Sequence, residues 1–274
     1  KIAKINAINA MSNLSDDDKA KYEKQIEDAV AAATTAINAA TTTTEVTAAK
    51  AEKYVTPSND IKTAAELDNE QKGAKKAIET DRDNRIANIN AMKDLSAADK
   101  AEYVNQMTIE ANNAFSTITT ATTVDGVKNA TTTYNVNAPK IETAASTLNK
   151  AKSDAKTDID QTYTNAKQSI EKLKSVLGED KVNEYIANLD SIKEKTLKSL
   201  INNENVDTLK TIEQKVADYK LAIQKEVKKA EVEKEFQDEI NRLNANDDKL
   251  TDNQVAKLIA DVQKDASTYI NNID

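Results

Sequence analysis

The 274-residue chain contains no cysteine and no histidine. Those two absences exclude thiolate catalysis, imidazole general-base chemistry, disulfides and Cys/His zinc sites. Tryptophan is missing too, and with two Phe and eight Tyr the chain cannot fill the centre of one large globule with aromatics. Three Gly and two Pro leave few places for tight turns. The glycines are isolated from one another, which excludes a glycine-rich phosphate loop. No run of about 18 apolar residues occurs, so no segment is expected to insert in a membrane. The opening KIAKINAINA lacks the apolar stretch of a signal peptide, and the chain reads as an excerpt from a longer one, monomeric as a fragment.

What is present is Ala, Lys, Glu, Asp, Asn, Thr and Ile. That mixture suits long helices around a thin aliphatic core. The formal net charge is −8, and no dense basic patch accompanies it, so nucleic acid is not an expected partner. The Lys-rich stretch KEVKKAEVEKE, Lys225 to Glu235, interleaves Glu with Lys and reads as a solvated helix face.

The chain repeats itself. INAMSNLSDDDKAKY, Ile8 to Tyr22, returns as INAMKDLSAADKAEY, Ile89 to Tyr103, with ten of fifteen positions identical at an offset of 81 residues. INAATTTTEV from Ile37 and ITTATTVDGV from Ile118 keep that offset, whereas DIKTAAE from Asp60 and KIETAAS from Lys140 show one residue lost between them. The unit begins again near Asp158 in a divergent copy with LGEDKVNEY, Leu177 to Tyr185. A fourth begins near Glu233, where NDDKLTDNQ, Asn246 to Gln254, occupies the same turn.

Each unit reads as three helices. Ser15 with Asp18, Ser96 with Asp99 and Thr251 with Gln254 have capping-box spacing, and Leu14 and Leu95 precede the cap as apolar staples. Tyr22, Gln25, Ala29 and Ala33 then share one helix face. A third helix starts near Glu45, and Pro57 and Pro139 are expected to break it, since proline removes a helix hydrogen bond and its ring clashes with the preceding turn. Long helical patterns follow at Asp60–Met92 and Lys140–Val176, and the third copy runs from Val206 to Leu243 with no proline. The reading is all-α: tandem three-helix bundles stacked end to end into an elongated rod, with long helices shared between adjacent modules. The expected modules are 1–57, with a truncated first helix, then 58–139, 140–220 and a partial helical hairpin over 221–274.

No residue set points to catalysis, a cofactor or a metal. Asp16-Asp17-Asp18 is explained by the cap, and copy two replaces two of the three with Ala97 and Ala98. Asn244 to Asp248 loosely resembles a calcium loop but lacks the glycine and the final glutamate. Tyr22, Tyr103 and Tyr185 recur at one position, as do Tyr54 and Tyr134, and read as core or inter-helix contacts rather than exposed anchors.

The pattern INAM-x2-LS-x2-DKAxY, followed by INAATTTTEVTAAKAEKYV, resembles the DUF1542, FIVAR and GA-like three-helix repeats of Gram-positive cell-wall-anchored surface adhesins, such as staphylococcal extracellular-matrix-binding proteins. Ala36 to Lys50 is the most specific part, and the resemblance is strongest over residues 1–157. It implies a non-enzymatic stalk or spacer, extracellular and anchored to the wall through the parent protein. The alternative it implies is that the modules themselves bind a host matrix or serum protein of the fibronectin or albumin type, or mediate cell–cell adhesion. It carries over no binding residue.

Overall fold

The computed structural model describes residues 1–203, 205–245 and 250–273. Among these the chain is all-α, with no strand. In chain order the helices are α1 Ile2–Asn9, α2 Asp16–Ala39, α3 Thr43–Lys50, a π-helical turn Ala51–Val55, α4 Thr56–Ala91, α5 Ala97–Thr120, α6 Val124–Glu171, α7 Lys174–Leu177, α8 Glu179–Ile201, α9 Leu209–Asn244 and α10 Asp252–Asn271. Contacts divide the chain into two compact units. One comprises Lys1–Ala91 and Tyr103–Thr143, the other Met92–Glu102 and Ala144–Asp274.

Helix starts follow the capping chemistry. Ser15 Oγ accepts from the Asp18 amide while the Asp18 carboxylate accepts from the Ser15 amide. The same reciprocal pair occurs at Ser96 and Asp99 and at Thr251 and Gln254. Two more boxes open α3, at Thr42 and Glu45, and α9, at Thr208 and Thr211. In the third copy Gly178, at φ +83°, stands where the serine stands in the first two. Of the fourth turn, Asn246 to Lys249 lie outside the described residues.

In the first unit the core joins α1, α2 and α4. Ile8, Leu14, Tyr22, Ile26 and Ala65 are buried together, with Ile5, Met11 and Ile61 packed against them. Fully burying each Ile or Leu contributes roughly 1.5–3 kcal/mol, which a chain this short of aromatics must accumulate from many small contacts. The buried face of α2 is Tyr22, Ile26, Ala29 and Ala33. Gln25, placed on that face by its spacing, is exposed, and Ile26 takes the position one residue on.

The prolines do not break the chain's helices. Pro139 lies inside the uninterrupted α6. Tyr134 and Ala138 before it and Ala145 and Leu148 after it are buried, so packing on either side outweighs the roughly 3 kcal/mol that an interior proline costs. Pro57 lies in the first turn of α4, directly after the π-turn, where the Thr56 amide bonds to Ala51 O, five residues back. That wide turn sits where copy one has a residue more than copy two: Val46 to Tyr54 spans one residue more than Val127 to Tyr134. A π-turn is how a helix holds one extra residue without ending.

Candidate functional site

Within each unit, a short run on a long helix gathers polar contacts from several other segments. In the first unit the run is Asp68 to Lys72 of α4. Asn69 Oδ1 accepts from the Asn13 amide at 2.9 Å, which ties down the turn between α1 and α2. Lys72 donates to Asp18, at the start of α2, at 2.5 Å and to Asp68 at 3.1 Å; the Tyr22 hydroxyl donates to Asp68 at 3.3 Å. Gln71 Nε2 donates to Ile118 O at 2.9 Å and Ala121 O at 3.0 Å, carbonyls at the C-terminal end of α5, where Ile118 O also accepts the Ala121 amide at 3.3 Å. The hydrogen bonds from Lys72 and Ser15 hold the Asp18 carboxyl well below the usual carboxylate range.

The second unit repeats the arrangement from Asn149 to Lys152 of α6. Asn149 Oδ1 accepts from the Asp94 amide at 2.9 Å, as Asn69 does from Asn13. Lys152 donates to Asp99, at the start of α5, and to Leu200 O, near the end of α8, at 3.0 Å. It also lies 2.8 Å from Asp207 Oδ2, an ion-pair contact without hydrogen-bond alignment, so that oxygen is buried with no hydrogen-bond partner. The Asp207 amide donates to Asp99 Oδ1 at 2.9 Å, and Lys215 of α9 donates to Asp207 Oδ1 at 2.7 Å. Burial alone would raise the carboxyls of Asp99 and Asp207. The Lys152 ammonium, hydrogen-bonded to Asp99 and ion-paired with Asp207, outweighs it with the help of the Asp207 amide and Ser96 at Asp99 and of Lys215 at Asp207, and both are left lowered.

In the third copy the residue at the place of Asp18 is Lys181. It pairs with Glu233 of α9 at 3.5 Å, and the Tyr185 hydroxyl donates to the same carboxylate. Tyr22 and Tyr185 are thus buried, as is Tyr134, each with its hydroxyl on a carboxylate, and Tyr134 donates to Asp81 at 3.0 Å; Tyr103 and Tyr54, at the matching repeat positions, are only half-buried. Sequence reading missed the lysines and asparagines. Their signal was the spacing Asn-x2-Lys, which occurs at Asn69 and Lys72 and again at Asn149 and Lys152.

None of this resembles a reaction centre. Among the described residues no group of three or more His, Cys, Asp or Glu is placed to hold a metal ion. An open groove of about 600 Å³ runs between α6 and α9 over Ala151, Ala155, Ile212 and Val216. Two of the three acids on its rim are engaged: Asp154 pairs with Lys150 at 2.7 Å and Asp158 with Lys220 at 2.6 Å.

Residues 2–56 match the family described as Domain of Unknown Function (DUF1542). The match runs from α1 through the π-turn and includes the whole of Ala36 to Lys50. DUF1542 is a repeat domain of surface proteins, and it indicates no catalytic family. No curated protein and no solved structure matches the chain. No described helix is long and apolar enough to cross a membrane.

Proposed function

We propose that this chain is a non-enzymatic spacer: a stretch of tandem helical repeats, stacked end to end as an extended stalk, that holds a binding region of a wall-anchored bacterial surface protein away from the cell. The observation that carries the reading is what the repeats preserve. Ser15 and Ser96, Asp18 and Asp99, Asn69 and Asn149, and Lys72 and Lys152 all recur, and each is spent on a helix start or a turn inside the molecule. A multivalent binder would instead repeat the residues it shows to solvent.

Small-angle X-ray scattering tests the reading. A compact chain of this length has a radius of gyration near ~19 Å. Three and a half bundles in line, each set by a helix of roughly 30–35 residues at about 1.5 Å per residue, give ~40–45 Å. The smaller value would end the spacer reading. The apolar groove between α6 and α9 favours the second reading, that a module binds a host matrix or serum protein. Retention of the chain on immobilised fibronectin or albumin at micromolar concentration, lost on Val216→Asp, would support that one.

A further inference from the structure

Lys152 and Lys72 occupy the same place in the repeat, yet they stand in different surroundings. The Lys72 side chain is 39% exposed, and those of Asp18 and Asp68 are 27% exposed. The Lys152 side chain is 1% exposed, Asp99 0% and Asp207 1%. Fully buried lysines are rare, and removing ions from water is costly enough that a buried cluster is weak as a source of stability. What such a cluster does provide is geometry. An ammonium has three donors on one atom, and here it faces three separate segments: the start of α5 at Asp99, the end of α8 at Leu200, and the turn before α9 at Asp207. The first unit divides those tasks. Lys72 serves the helix start, and the neutral Gln71 serves the carbonyls at the end of α5.

We propose that Lys152 is a lock on the turn between α8 and α9: it ties Asp207 and the end of α8 to the start of α5 and fixes how α9 leaves that turn, whereas the matching turn after α5, held by Gln71, is the compliant one and opens first. Asp99, Asp207 and Lys215 complete the lock. Lys215 reinforces it from α9 by donating to Asp207 and to Ser199 O at 2.9 Å. The proposal concerns the turn itself and holds whichever role the repeats play.

Hydrogen exchange of the full chain at neutral pH, read by mass spectrometry, tests it. The expected result is slower exchange, relative to unstructured rates, at Asn205 to Ile212 than at Ala121 to Lys128. Lys152→Met should raise exchange at Asn205 to Ile212 by at least about tenfold, because the buried Asp99 loses its counter-ion and Asp207 is left with Lys215 alone. Lys72→Met should change Ala121 to Lys128 by less than about threefold, as expected for an exposed pair. If Lys152→Met unfolds the chain, the triple variant D99N/K152M/D207N removes the buried charges together. It should recover helicity while the turn still exchanges fast. Equal exchange at the two wild-type turns would overturn the proposal. So would an unchanged turn in Lys152→Met, or slow exchange restored in the triple variant.

Discussion

Lys181 and Glu233 form in the third repeat the pair that Asp18 and Lys72 form in the first, with the charges exchanged. The tyrosine beside each pair, Tyr185 or Tyr22, donates to the carboxylate on the long helix in both cases. The position therefore asks for opposite charges and is indifferent to which helix carries which. Lys181→Glu should destabilise the chain by about 0.5–1 kcal/mol, the range of a half-exposed pair made repulsive. Adding Glu233→Lys should recover the charge part of that loss but not the Tyr185 bond. A double-mutant cycle by urea denaturation measures the coupling. Strict additivity of the two substitutions would remove the claim.

Gly73 sits in the middle of α4, where glycine costs about 1 kcal/mol relative to alanine. A Cβ there would run into the Asn13 side-chain amide. That group is the far end of an exposed side chain free to swing aside, so Gly73→Ala should stabilise by up to about 1 kcal/mol. Gly178 differs: φ is +83° and no atom lies near, so the backbone alone resists a side chain. Gly178→Ala should destabilise by about 1–2 kcal/mol. Thermal melts of the two variants should move in opposite directions.

Deleting Ala51 should leave the chain folded. It brings the first copy to the spacing of the second, in which the same segment is regular α-helix. α3 buries no residue, so it can rotate to take up the change. Circular dichroism should show helicity retained and a melting temperature within a few degrees of the parent, about the shift of a sub-1 kcal/mol change. A large loss of helicity would mean that the wide turn does more than hold an extra residue.

The response to pH has a definite sign. Asp99 and Asp207 are lowered in the folded chain, so their contribution is complete above the ordinary carboxylate value of about 4 and is lost as pH falls through their lower folded values. The melting temperature should be flat from about pH 8 to 5 and fall below about 4. At the other end, the hydrogen bond to Asp190 and then burial push Tyr163 up to about 12, and burial pushes Tyr219 to about 12. Stability from these neutral phenols is complete below about 10 and lost as pH rises through their folded values. Ultraviolet titration that showed both ionising near 10 in the folded chain would contradict this.

Much of the fold was legible in the sequence because its signals are local. The capping pairs at Ser15, Ser96 and Thr251 span three residues, and Tyr22 and Tyr185 are buried at the same place in the repeat. The roles of Lys72 and Lys152 were not legible, since a lysine on a long helix looks solvated until the segments some fifty residues away that meet it are known. The prolines misled for a related reason. Their local cost is real, but at Pro139 it is set against the burial of Tyr134 and Ala138, which spacing cannot weigh. The π-turn was visible only as a one-residue discrepancy between copies, with no indication of what shape would absorb it.

Continuous helix through Pro139 has a consequence for digestion. A protease needs several residues of extended backbone in its cleft, and α6 offers none between Val124 and Glu171. Of the turns, those at Asn13 and Asp94 are fastened by asparagines of the long helices. Cutting α6 requires opening the helix, and cutting at either of these two turns requires prising up a tethered corner, so cleavage there follows local unfolding rather than the number of lysines and arginines displayed.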